Sequence, residues 1–251
     1  MKEERRKKME ALIARRQSVT MEELCEAFSV SMNTVRSDVA YLVASGSAEK
    51  IYGGVRARDK KQVDLFTSRA KLNTQRKEAI ARAAETLIRD GDVIFLDNGT
   101  TTMHLMNHLS PRKKVTVVTA SLYVIARAAE MENVTLIVLP GTLNRRTHSL
   151  SDMGTLEFLS RFQFTKAFMG VTGVSEDGRL NVSNYPEFEV KRTALARSAE
   201  TILLADGSKF RGTGLMAYGS MESMTVLVTD EDCPVAQRTH WAKKGVEIII
   251  V

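Results

Sequence analysis

The sequence is poor in cysteine and has no long hydrophobic run. Its two cysteines, Cys25 and Cys233, belong to no CxxC pair and no evenly spaced framework. We therefore expect both thiols to stay reduced, as in a cytoplasm. The longest apolar run, residues 246–251, contains Glu247 and falls far short of the roughly 20 residues that a membrane-spanning helix needs.

A secretory signal is also missing, because the charged N-terminus lacks a following apolar stretch and a small-residue cleavage site. The chain is long enough to bury a sizeable core, so its folding needs no disulfide or metal. These absences argue against the secreted, membrane and disordered classes. We expect a cytoplasmic globular protein, with either one large domain or a small domain joined to a larger one.

The net charge of +6 is unevenly spread along the chain. Residues 1–58 hold 11 Lys and Arg against 8 Asp and Glu, whereas the remaining residues hold 25 against 22. The same excess of three is therefore much denser at the N-terminus. This pattern indicates a basic module on a nearly balanced body, which suits a polyanionic partner. Ordinary surface charge explains the excess equally well, so charge alone does not distinguish the two explanations.

The N-terminal part has the pattern of a winged helix-turn-helix domain. Apolar residues at helical spacing predict a first helix over 2–16, and Thr20 with Glu23 predicts a capping box at the start of a second. After a short break, Ser31 can cap a third helix. Residues 49–56 read as two strands around a Gly-Gly turn. Three helices followed by a hairpin match the helix-turn-helix plan with a wing.

Beyond this module the pattern changes to alternating strands and helices. Because parallel strands need helical crossovers, the alternation predicts an α/β domain with a mostly parallel sheet covered on both faces. We place a winged helix-turn-helix DNA-binding domain at residues 1–57, a linker at 58–75 and the α/β domain at 76–251. The predicted strands lie at 93–96, 115–118, 134–139, 168–171, 201–205, 225–228 and 246–251.

The third predicted helix leaves one polar face free. With Val35, Val39 and Leu42 pointing inward, a step of about 100° per residue turns Asn33 and Ser37 outward. Polar and basic side chains at the start of such a helix can reach base edges and phosphates in the major groove. A protein-interaction module with a solvated face is the alternative. The candidate DNA-binding residues are Ser31, Asn33, Thr34, Arg36, Ser37, Tyr41, Lys50, Tyr52 and Arg56.

Strand ends of the α/β domain carry glycines, hydroxyls and charged groups. The run Asp97–Thr102 follows a predicted strand, and its glycine permits a tight turn into a helix whose N–H groups favour an anion. Capping and turn formation explain any single strand end. Several such strand ends in succession favour a site for a phosphorylated, polyhydroxylated ligand, because the carboxyl ends of parallel strands line one crevice. The candidate effector residues are Asp97, Gly99, Thr100, Thr101, Thr102, Thr119, Ser121, Gly141, Arg145, Gly170, Asp206 and Lys209.

Two sets of motifs follow one another along residues 2–251. They are Val19–Leu24, Phe28–Ser31, Thr34–Asp38 and Tyr52–Gly54, and then Asp97–Thr101, Thr119–Ser121, Pro140–Thr142, Gly170–Gly173, Glu187 with Lys191, and Ala205–Phe210. In this order the motifs resemble those of the DeoR family of bacterial transcriptional regulators. Ser37 departs from the family by replacing a usual arginine, and Thr142 replaces a usual glycine.

The resemblance implies a sugar-phosphate sensor whose fold is similar to ribose-5-phosphate isomerase and the coenzyme A transferases. It adds Glu187 and Lys191 to the candidate effector residues. Loss of the arginine at Ser37 implies an atypical operator sequence or affinity. Because Thr142 replaces a glycine of the family, the family's ligand contacts in that loop are the ones least readily carried over to this chain.

An enzyme is one alternative, because isomerisation of a sugar phosphate needs a general base. Asp97, Glu187 and Asp206 are candidates for that base, but no paired acid is evident. His104 and His108 lie four residues apart as metal ligands can, yet no third ligand is evident. We therefore expect no catalytic residue, no metal site and no cofactor.

We predict a sequence-specific transcriptional regulator, a repressor of a carbohydrate-utilisation operon. A phosphorylated sugar would modulate its binding to double-stranded operator DNA. A homodimer or homotetramer would present paired recognition helices to repeated half-sites. An activator whose C-terminal domain only oligomerises is the remaining alternative.

Overall fold

The computed structural model describes residues 2–16, 18–44, 47–57 and 65–251. The chain divides into two compact units, Met1–Leu65 and Phe66–Val251. Within the described ranges, no helix has both the length and the apolar character needed to cross a bilayer. Residues 58–64, the first part of the predicted linker, lie outside the described residues.

The smaller unit combines three helices with a three-stranded antiparallel sheet. The sheet order is β1-β3-β2, so the first strand pairs with the second strand of the wing. Helices and wing together confirm the predicted winged helix-turn-helix fold. The three-residue β1 was not predicted, because it is too short to show an alternating pattern. The elements are α1 (Lys2–Arg16), β1 (Ser18–Thr20), α2 (Met21–Phe28), α3 (Met32–Ala44), β2 (Ala48–Ile51) and β3 (Gly54–Ala57).

Local capping fixes where α2 begins, as the sequence predicts. The Glu23 amide donates to Thr20 Oγ1 at 3.1 Å, and the Thr20 amide donates to the Glu23 carboxylate at 2.7 Å. This reciprocal capping box satisfies two amides that an isolated helix leaves without partners. Ser29 then adopts a left-handed backbone conformation that ends the helix and starts the turn into α3.

An ion-pair cluster ties α1 to α3 beneath the smaller unit's apolar core. Asp38 of α3 is fully buried, and it accepts hydrogen bonds from Arg5 Nε at 2.7 Å and Arg6 Nε at 2.8 Å. Burial raises the pKa of the Asp38 carboxyl, but the hydrogen bonds and charges of the two arginines outweigh burial and leave the pKa below its usual value. Asp38 therefore stays ionised and orients α3.

Over its described residues, the larger unit contains seven α-helices, three 3-10 turns and twelve strands. Seven of the strands form its main sheet. Short 3-10 turns lie at Thr102–His104, Gly207–Arg211 and Met221–Ser223. The elements are α4 (Leu65–Lys71), α5 (Thr74–Glu85), β4 (Val93–Leu96), α6 (Leu105–His108), β5 (Val115–Thr119), α7 (Leu122–Ala128), β6 (Val134–Val138), β7 (Thr142–Asn144), β8 (Ser149–Ser151), α8 (Met153–Leu159), β9 (Phe164–Met169), β10 (Gly173–Val174), β11 (Arg179–Val182), α9 (Tyr185–Ala196), β12 (Ser198–Leu204), β13 (Met216–Ser220), β14 (Val226–Thr229), α10 (Val235–Lys243) and β15 (Glu247–Ile250).

Seven of these twelve strands form one parallel sheet in the order β15-β14-β12-β9-β4-β5-β6. This order confirms the predicted α/β architecture, and all seven predicted strands are present. The strand predicted at 168–171 starts earlier, at Phe164. Its first half was missed because Lys166 is a charged residue inside a strand, where Asp92 neutralises it through contacts of 2.9 and 3.1 Å.

Alternate residues of the central strands contribute to two apolar cores, one on each face of the parallel sheet. Phe95 belongs to one core, while Ile94 and Leu96 belong to the other. Neighbouring β5 repeats this division with Val118 and Val117. Because both faces are covered, the central strands read as continuous apolar runs.

Smaller elements complete the larger unit. Strands β10, β11 and β13 form a separate antiparallel sheet, and β7 and β8 pair as a hairpin. Residues 65–71 and 74–85, which overlap the segment read as a linker, form α4 and α5. Phe66 anchors α4, because its side chain is fully buried within the larger unit.

We expect Asp38→Asn to lower the free energy of unfolding of the smaller unit by about 2 kcal/mol at pH 7, because both arginines lose a charged acceptor. The lowered pKa means that this stabilisation is present above the ordinary carboxyl pKa of about 4 and is lost as pH falls through the folded-state value. The difference between wild type and variant should therefore shrink in acid.

Urea unfolding of the full chain at pH 7 and in acid, followed by circular dichroism, measures this difference. Fluorescence of Trp241, the single tryptophan, reports on the larger unit and should give the same transition in both proteins. A difference that stays constant with pH would show that the Asp38 charge does not contribute.

Candidate functional site

The main sheet has a switch point between β4 and β9. From β4 the chain continues outward to β5 and β6 on one side, and then returns to place β9, β12, β14 and β15 on the other. Ligands of open α/β sheets bind outside the carboxyl ends of the strands at such a point. Asp97 follows β4 and Gly170 follows β9, so both residues lie at this position.

A buried ion pair occupies the switch point. The Lys191 ammonium, from α9, contacts Asp97 Oδ2 and donates to the Gly170 carbonyl at 3.0 Å. The Gly170 amide donates to the same Asp97 oxygen at 2.8 Å. The side chains of Asp97 and Lys191 are 2% and 1% exposed, so each charge depends on the other for compensation.

Gly170 allows this close approach, because a Cβ atom on it would lie 2.9 Å from Asp97 Oδ2. A Cβ atom on Gly99 would lie 3.1 Å from Thr102 Oγ1, so a side chain there would crowd the loop instead. Any side chain at Gly170 would therefore push the carboxylate away from the amide that it accepts from. Glycine is needed at position 170 for space, and not for an unusual backbone angle.

The start of α9 supplies a second carboxylate beside the pair. Asn184 caps the helix, with its Oδ1 accepting from the Glu187 amide at 3.0 Å and its Nδ2 donating to Glu187 Oε2 at 2.8 Å. Glu187 Oε1 lies 3.7 Å from Lys191 Nζ. On the other side, the Tyr218 hydroxyl donates to the Gly170 carbonyl at 3.0 Å. Burial, together with the charges of Asp97 and Glu187, raises the pKa of Tyr218 well above its usual value and keeps this donor protonated.

A small cleft with a cavity volume of about 20 Å³ opens beside Asp97. Carboxylates, amides and hydroxyls dominate its wall, and Lys191 is the single cation among the lining residues that the structure describes. Such groups can accept from and donate to a polyhydroxylated ligand, and a few apolar side chains can contact its carbon skeleton. The lining residues are Asp97, Asn98, Ala120, Asn144, Thr147, Ser149, Leu150, Ser151, Asn184, Pro186, Glu187, Val190 and Lys191.

The structure brings Asp97, Glu187 and Lys191 together in this cleft, and Gly170 contacts the Asp97–Lys191 pair through its amide and carbonyl. Gly141 sits at the base of the β7–β8 hairpin with φ of +147°, where a Cβ would lie 2.7 Å from the Ser151 amide. Arg145 is exposed in the turn of that hairpin and does not line the cleft.

Several predicted hydroxyls have partners within the protein. Thr102 Oγ1 donates to the Asp97 and Gly99 carbonyls at 2.8 and 2.9 Å, and Thr119 Oγ1 donates to the Leu96 carbonyl at 2.6 Å. Ser121 caps α7 by accepting from the Val124 amide. Thr100 and Thr101 are also buried. Contacts of these five residues with an effector stay a prediction, and the bonds of three of them hold the loops in place.

The helix predicted after Asp97 is shorter than its sequence pattern indicates. Residues 102–104 form a 3-10 turn and α6 covers only Leu105–His108. So short a helix has little dipole to offer an anion. Favourable contacts with a ligand at this loop must therefore come from side chains and individual amides.

Asp206 and Lys209 belong to a second polar cluster, at the carboxyl ends of β12 and β14. Asp206 Oδ1 accepts from the Ser208 amide at 3.1 Å and from Asn73 Nδ2 at 3.3 Å, while its Oδ2 is buried without a hydrogen bond in the described part of the chain. Burial, together with the charges of Lys209 and Arg69 and against that of Asp206, lowers the pKa of Lys77 to about 8. Burial also lowers the pKa of Lys209.

Sequence reasoning missed the amides and hydroxyls that line the cleft. Asn184 had a readable signal, because an asparagine three residues before a glutamate is a helix-capping pattern. Hydroxyls of the β7–β8 hairpin had none, since three-residue strands show no periodicity. The missed residues are Asn98, Asn144, Thr147, Ser149, Ser151 and Asn184.

The structure shows the predicted division of α3 into a buried and an exposed face. Val35, Val39 and Leu42 are buried, whereas Asn33, Arg36, Ser37 and Tyr41 are exposed on α3. Ser31 Oγ lies 3.0 Å from Thr34 Oγ1 and accepts from the Thr34 amide, so this pair caps the helix.

The wing places its side chains as the sequence predicts. Tyr52 at its tip is fully exposed, and Lys50 is exposed as well. Arg56 is exposed but contacts Glu49, which partly neutralises its charge. Arg6, which the sequence did not single out, stacks its guanidinium on the Tyr41 ring, with Cζ 4.0 Å from the ring centroid. This contact adds a cation beside α3.

His104 and His108 do have a common neighbour, Glu78 of α5. Its two carboxylate oxygens lie 2.7 Å from His104 Nδ1 and 2.6 Å from His108 Nε2. Burial lowers the pKa of His104, and Glu78 opposes that shift. Among the residues that the structure describes, no group of acidic, histidine or cysteine side chains is arranged to hold a metal ion.

We expect Lys191→Met to lower the free energy of unfolding of the larger unit by about 3–5 kcal/mol, because it leaves the Asp97 charge buried without its partner. The double variant Asp97→Asn/Lys191→Met should recover much of this loss, since neither charge remains. Urea unfolding followed by Trp241 fluorescence measures both, with the exposed Lys243→Met as the control. Losses that simply add in the double variant would contradict a coupled pair.

Family models match both parts of the chain. The model for a DeoR-like helix-turn-helix domain matches residues 5–61, and the model for the DeoR C-terminal sensor domain matches residues 72–231. Two solved structures resemble part of it: ribose 5-phosphate isomerase A from Methanocaldococcus jannaschii (21% identity, 55% of each chain, TM-score 0.41) and a probable sor operon regulator from Shigella flexneri (12% identity, 64% of this chain and 87% of the other, TM-score 0.43).

Curated relatives are similar along nearly the whole chain. The transcriptional regulator IolR of Bacillus subtilis is 36% identical over 231 residues, which are 92% of each chain. The glycerol-3-phosphate regulon repressor of Escherichia coli is 29% identical over 225 residues, 90% of this chain and 89% of the relative. These matches favour a regulator over an enzyme. The exposed face of α3, the wing and the cleft at the switch point therefore belong to a member of the DeoR family of helix-turn-helix transcriptional regulators.

Proposed function

We propose that this protein is a cytoplasmic repressor of a carbohydrate-utilisation operon, and that a phosphorylated sugar releases it from operator DNA. One observation carries the proposal: the same chain holds an exposed polar face on α3 and a cleft rich in carboxylates, amides and hydroxyls at the switch point. The relatives named as regulators and repressors support it. A homodimer or homotetramer would bind two half-sites through paired α3 helices.

The DNA-binding role rests on the side chains that α3 leaves exposed. Asn33 and Arg36 carry donors that fit base edges in the major groove, and Lys50 on the wing offers a charge to the phosphate backbone. Ser37 can make only a shorter, neutral contact where the family usually has arginine. We therefore expect Asn33 and Arg36 to make most of the base contacts on this face.

The cleft suits the polyhydroxylated part of an effector. Asp97 and Glu187 can accept hydrogen bonds from sugar hydroxyls, and the Asn98, Asn144 and Asn184 amides can both donate and accept. A phosphate group fits less well here, because the single lining cation, Lys191, is already neutralised by Asp97.

The second polar cluster is the better place for the phosphate. Lys209 follows β12, and its ammonium has no ion pair within the described residues; the buried Lys77 adds positive charge behind it. β12 is two strands from β4, a separation of roughly 10 Å. A phosphorylated sugar can therefore lie along the strand ends, with hydroxyls at Asp97 and its phosphate at Lys209.

Arg36→Ala tests the DNA-binding face. We expect it to raise the operator Kd by about 5- to 150-fold, equivalent to about 1–3 kcal/mol, and to relax the preference at one base position, because a guanidinium is lost from a base edge. Fluorescence anisotropy with the upstream DNA of the chain's own gene, and with single-base-pair variants of it, measures both effects.

The control is Arg15→Ala, which removes an equal, exposed charge from α1. Its effect should be smaller and the same on every sequence. If Arg36→Ala also weakened binding uniformly on all sequences, Arg36 would be a phosphate contact and the assignment of base reading to it would be wrong.

Lys209→Met tests the phosphate end. Glucose 6-phosphate, ribose 5-phosphate and glycerol 3-phosphate are titrated into the protein–operator complex, beside the same compounds without phosphate. We expect one phosphorylated compound to release the DNA, and Lys209→Met to raise its half-effective concentration about tenfold, or about 1.4 kcal/mol, because a charged phosphate contact is lost. Lys243→Met, which removes an exposed charge from α10, should have no effect.

The pH dependence supplies a second control. Since the pKa of Lys77 is about 8, the cluster loses positive charge as pH rises from 7 to 9, and affinity for the phosphorylated compound should fall. Lys77→Met should flatten this dependence. Operator binding that ignores every compound would contradict the sensing role and leave an activator or a purely oligomerising domain as the explanation.

A further inference from the structure

The short helix α4 is anchored at its start by the aromatic side chain of Phe66. Phe66 is fully buried, yet it belongs to neither apolar core of the larger unit. Its ring stacks on Tyr123, with centroids 4.9 Å apart and planes 12° apart, and on His148, at 5.1 Å and 9°. Tyr123 and His148 are themselves parallel at 5.5 Å. Three rings therefore form one stacked cluster that holds α4.

His148 connects this cluster to the wall of the cleft. It lies in the β7–β8 hairpin between Thr147 and Ser149, two residues whose side chains line the cleft. Its backbone is left-handed, with φ of 49°, and its carbonyl accepts from the Leu122 amide at 2.9 Å. The hairpin therefore presents hydroxyls to the cleft on either side of a ring that touches α4.

A chain of hydrogen bonds makes the hairpin sensitive to a ligand. Asn98 Nδ2 donates to Ser149 Oγ at 3.1 Å, and Ser149 Oγ lies 2.8 Å from Thr147 Oγ1. Sugar hydroxyls entering the cleft compete for these same groups. Any exchange of partners at Thr147 and Ser149 must be accommodated at the residue between them.

The far end of α4 is attached to the second polar cluster. Lys77 Nζ donates to the Arg69 carbonyl, and Thr74 Oγ1 donates to the Ala70 carbonyl at 3.2 Å. Asn73, directly after the helix, adopts a left-handed conformation and donates to Asp206 at 3.3 Å. Both ends of α4 thus contact groups that stand next to the two ends of the proposed effector site.

We propose that α4 is the helix through which effector binding is transmitted to the DNA-binding unit, with the Phe66–His148 stack as its contact to the cleft. The inference rests on the proposed function, and it names how the effector site acts. Residues 58–64 join α4 directly to the smaller unit along the chain. An effector that repositions the hairpin changes the seating of Phe66, and so shifts α4 between two positions with different operator affinity.

Phe66→Leu tests this role, because leucine keeps the apolar contact and removes the flat ring. The coupling factor is the ratio of operator Kd with and without a saturating effector, taken as whichever of glucose 6-phosphate, ribose 5-phosphate and glycerol 3-phosphate binds wild type most tightly. We expect this factor to fall about fivefold or more, while the effector Kd measured by calorimetry without DNA stays within about twofold.

Phe162→Leu is the matched control, since Phe162 stacks on Phe164 in the same unit and does not belong to the Phe66 cluster. It should keep the wild-type coupling factor. Hydrogen exchange adds a readout that a merely structural residue would not move: in wild type, the effector should change exchange of the α4 amides, and in Phe66→Leu this change should disappear.

The outcomes separate the two proposals. Effector binding with an unchanged coupling factor in both Phe66→Leu and Phe66→Ala would overturn the role of α4 and leave the sensing function standing. A loss of effector affinity equal to the loss of coupling would also overturn it, because Phe66 would then only support the cleft. Wild type that binds none of the three compounds would reject the sensing function, and the role of α4 with it.

Discussion

The Asp97–Lys191 ion pair is the constraint on which the site of the larger unit depends. Burying two opposite charges is tolerable only when each satisfies the other, and here the Gly170 backbone and the Tyr218 hydroxyl complete the hydrogen bonding. The pair joins the end of β4 to α9 and the end of β9. It therefore fixes the loops on both sides of the switch point before any ligand binds.

Two parts of the strand-end surface carry different polar and charged groups. The switch point holds two carboxylates against one cation, and it displays acceptors and amides that suit hydroxyl groups. The region around Lys209 adds a cation that lies beside Asp206 and outside the Asp97–Lys191 pair. A ligand that needs both regions must itself combine hydroxyls with an anionic group. A neutral sugar or a free phosphate alone satisfies only half of the surface.

The sequence was most informative where one residue type has one physical explanation. The Thr20–Glu23 capping box and the buried face of α3 could be predicted, because local geometry determines them. Gly99 and Gly170 could be placed at strand ends, although their neighbours in space could not be identified. Long-range partners were beyond prediction: nothing in the spacing shows that Lys191 neutralises Asp97, 94 residues away.

Two further features escaped sequence reasoning for different physical reasons. The β7–β8 hairpin is too short and too polar to show a period, yet it supplies much of the cleft wall. Lys166 lies inside β9, where a charge argues against a strand unless its partner is known. In both cases the deciding contact comes from an element distant along the chain.

The free face of α3 bears on how such regulators diverge. Asp38 holds α3 from its buried side, so Arg36 and Ser37 take no part in the apolar core of their unit. Substitutions there alter the proposed DNA-binding face at little cost to folding. Asp97 and Lys191 have no such freedom, because each is needed for the stability of the sensor unit. Under the proposed function, operator preference can therefore change with little effect on folding, whereas a change of effector is more readily accommodated in the hairpin than in the ion pair.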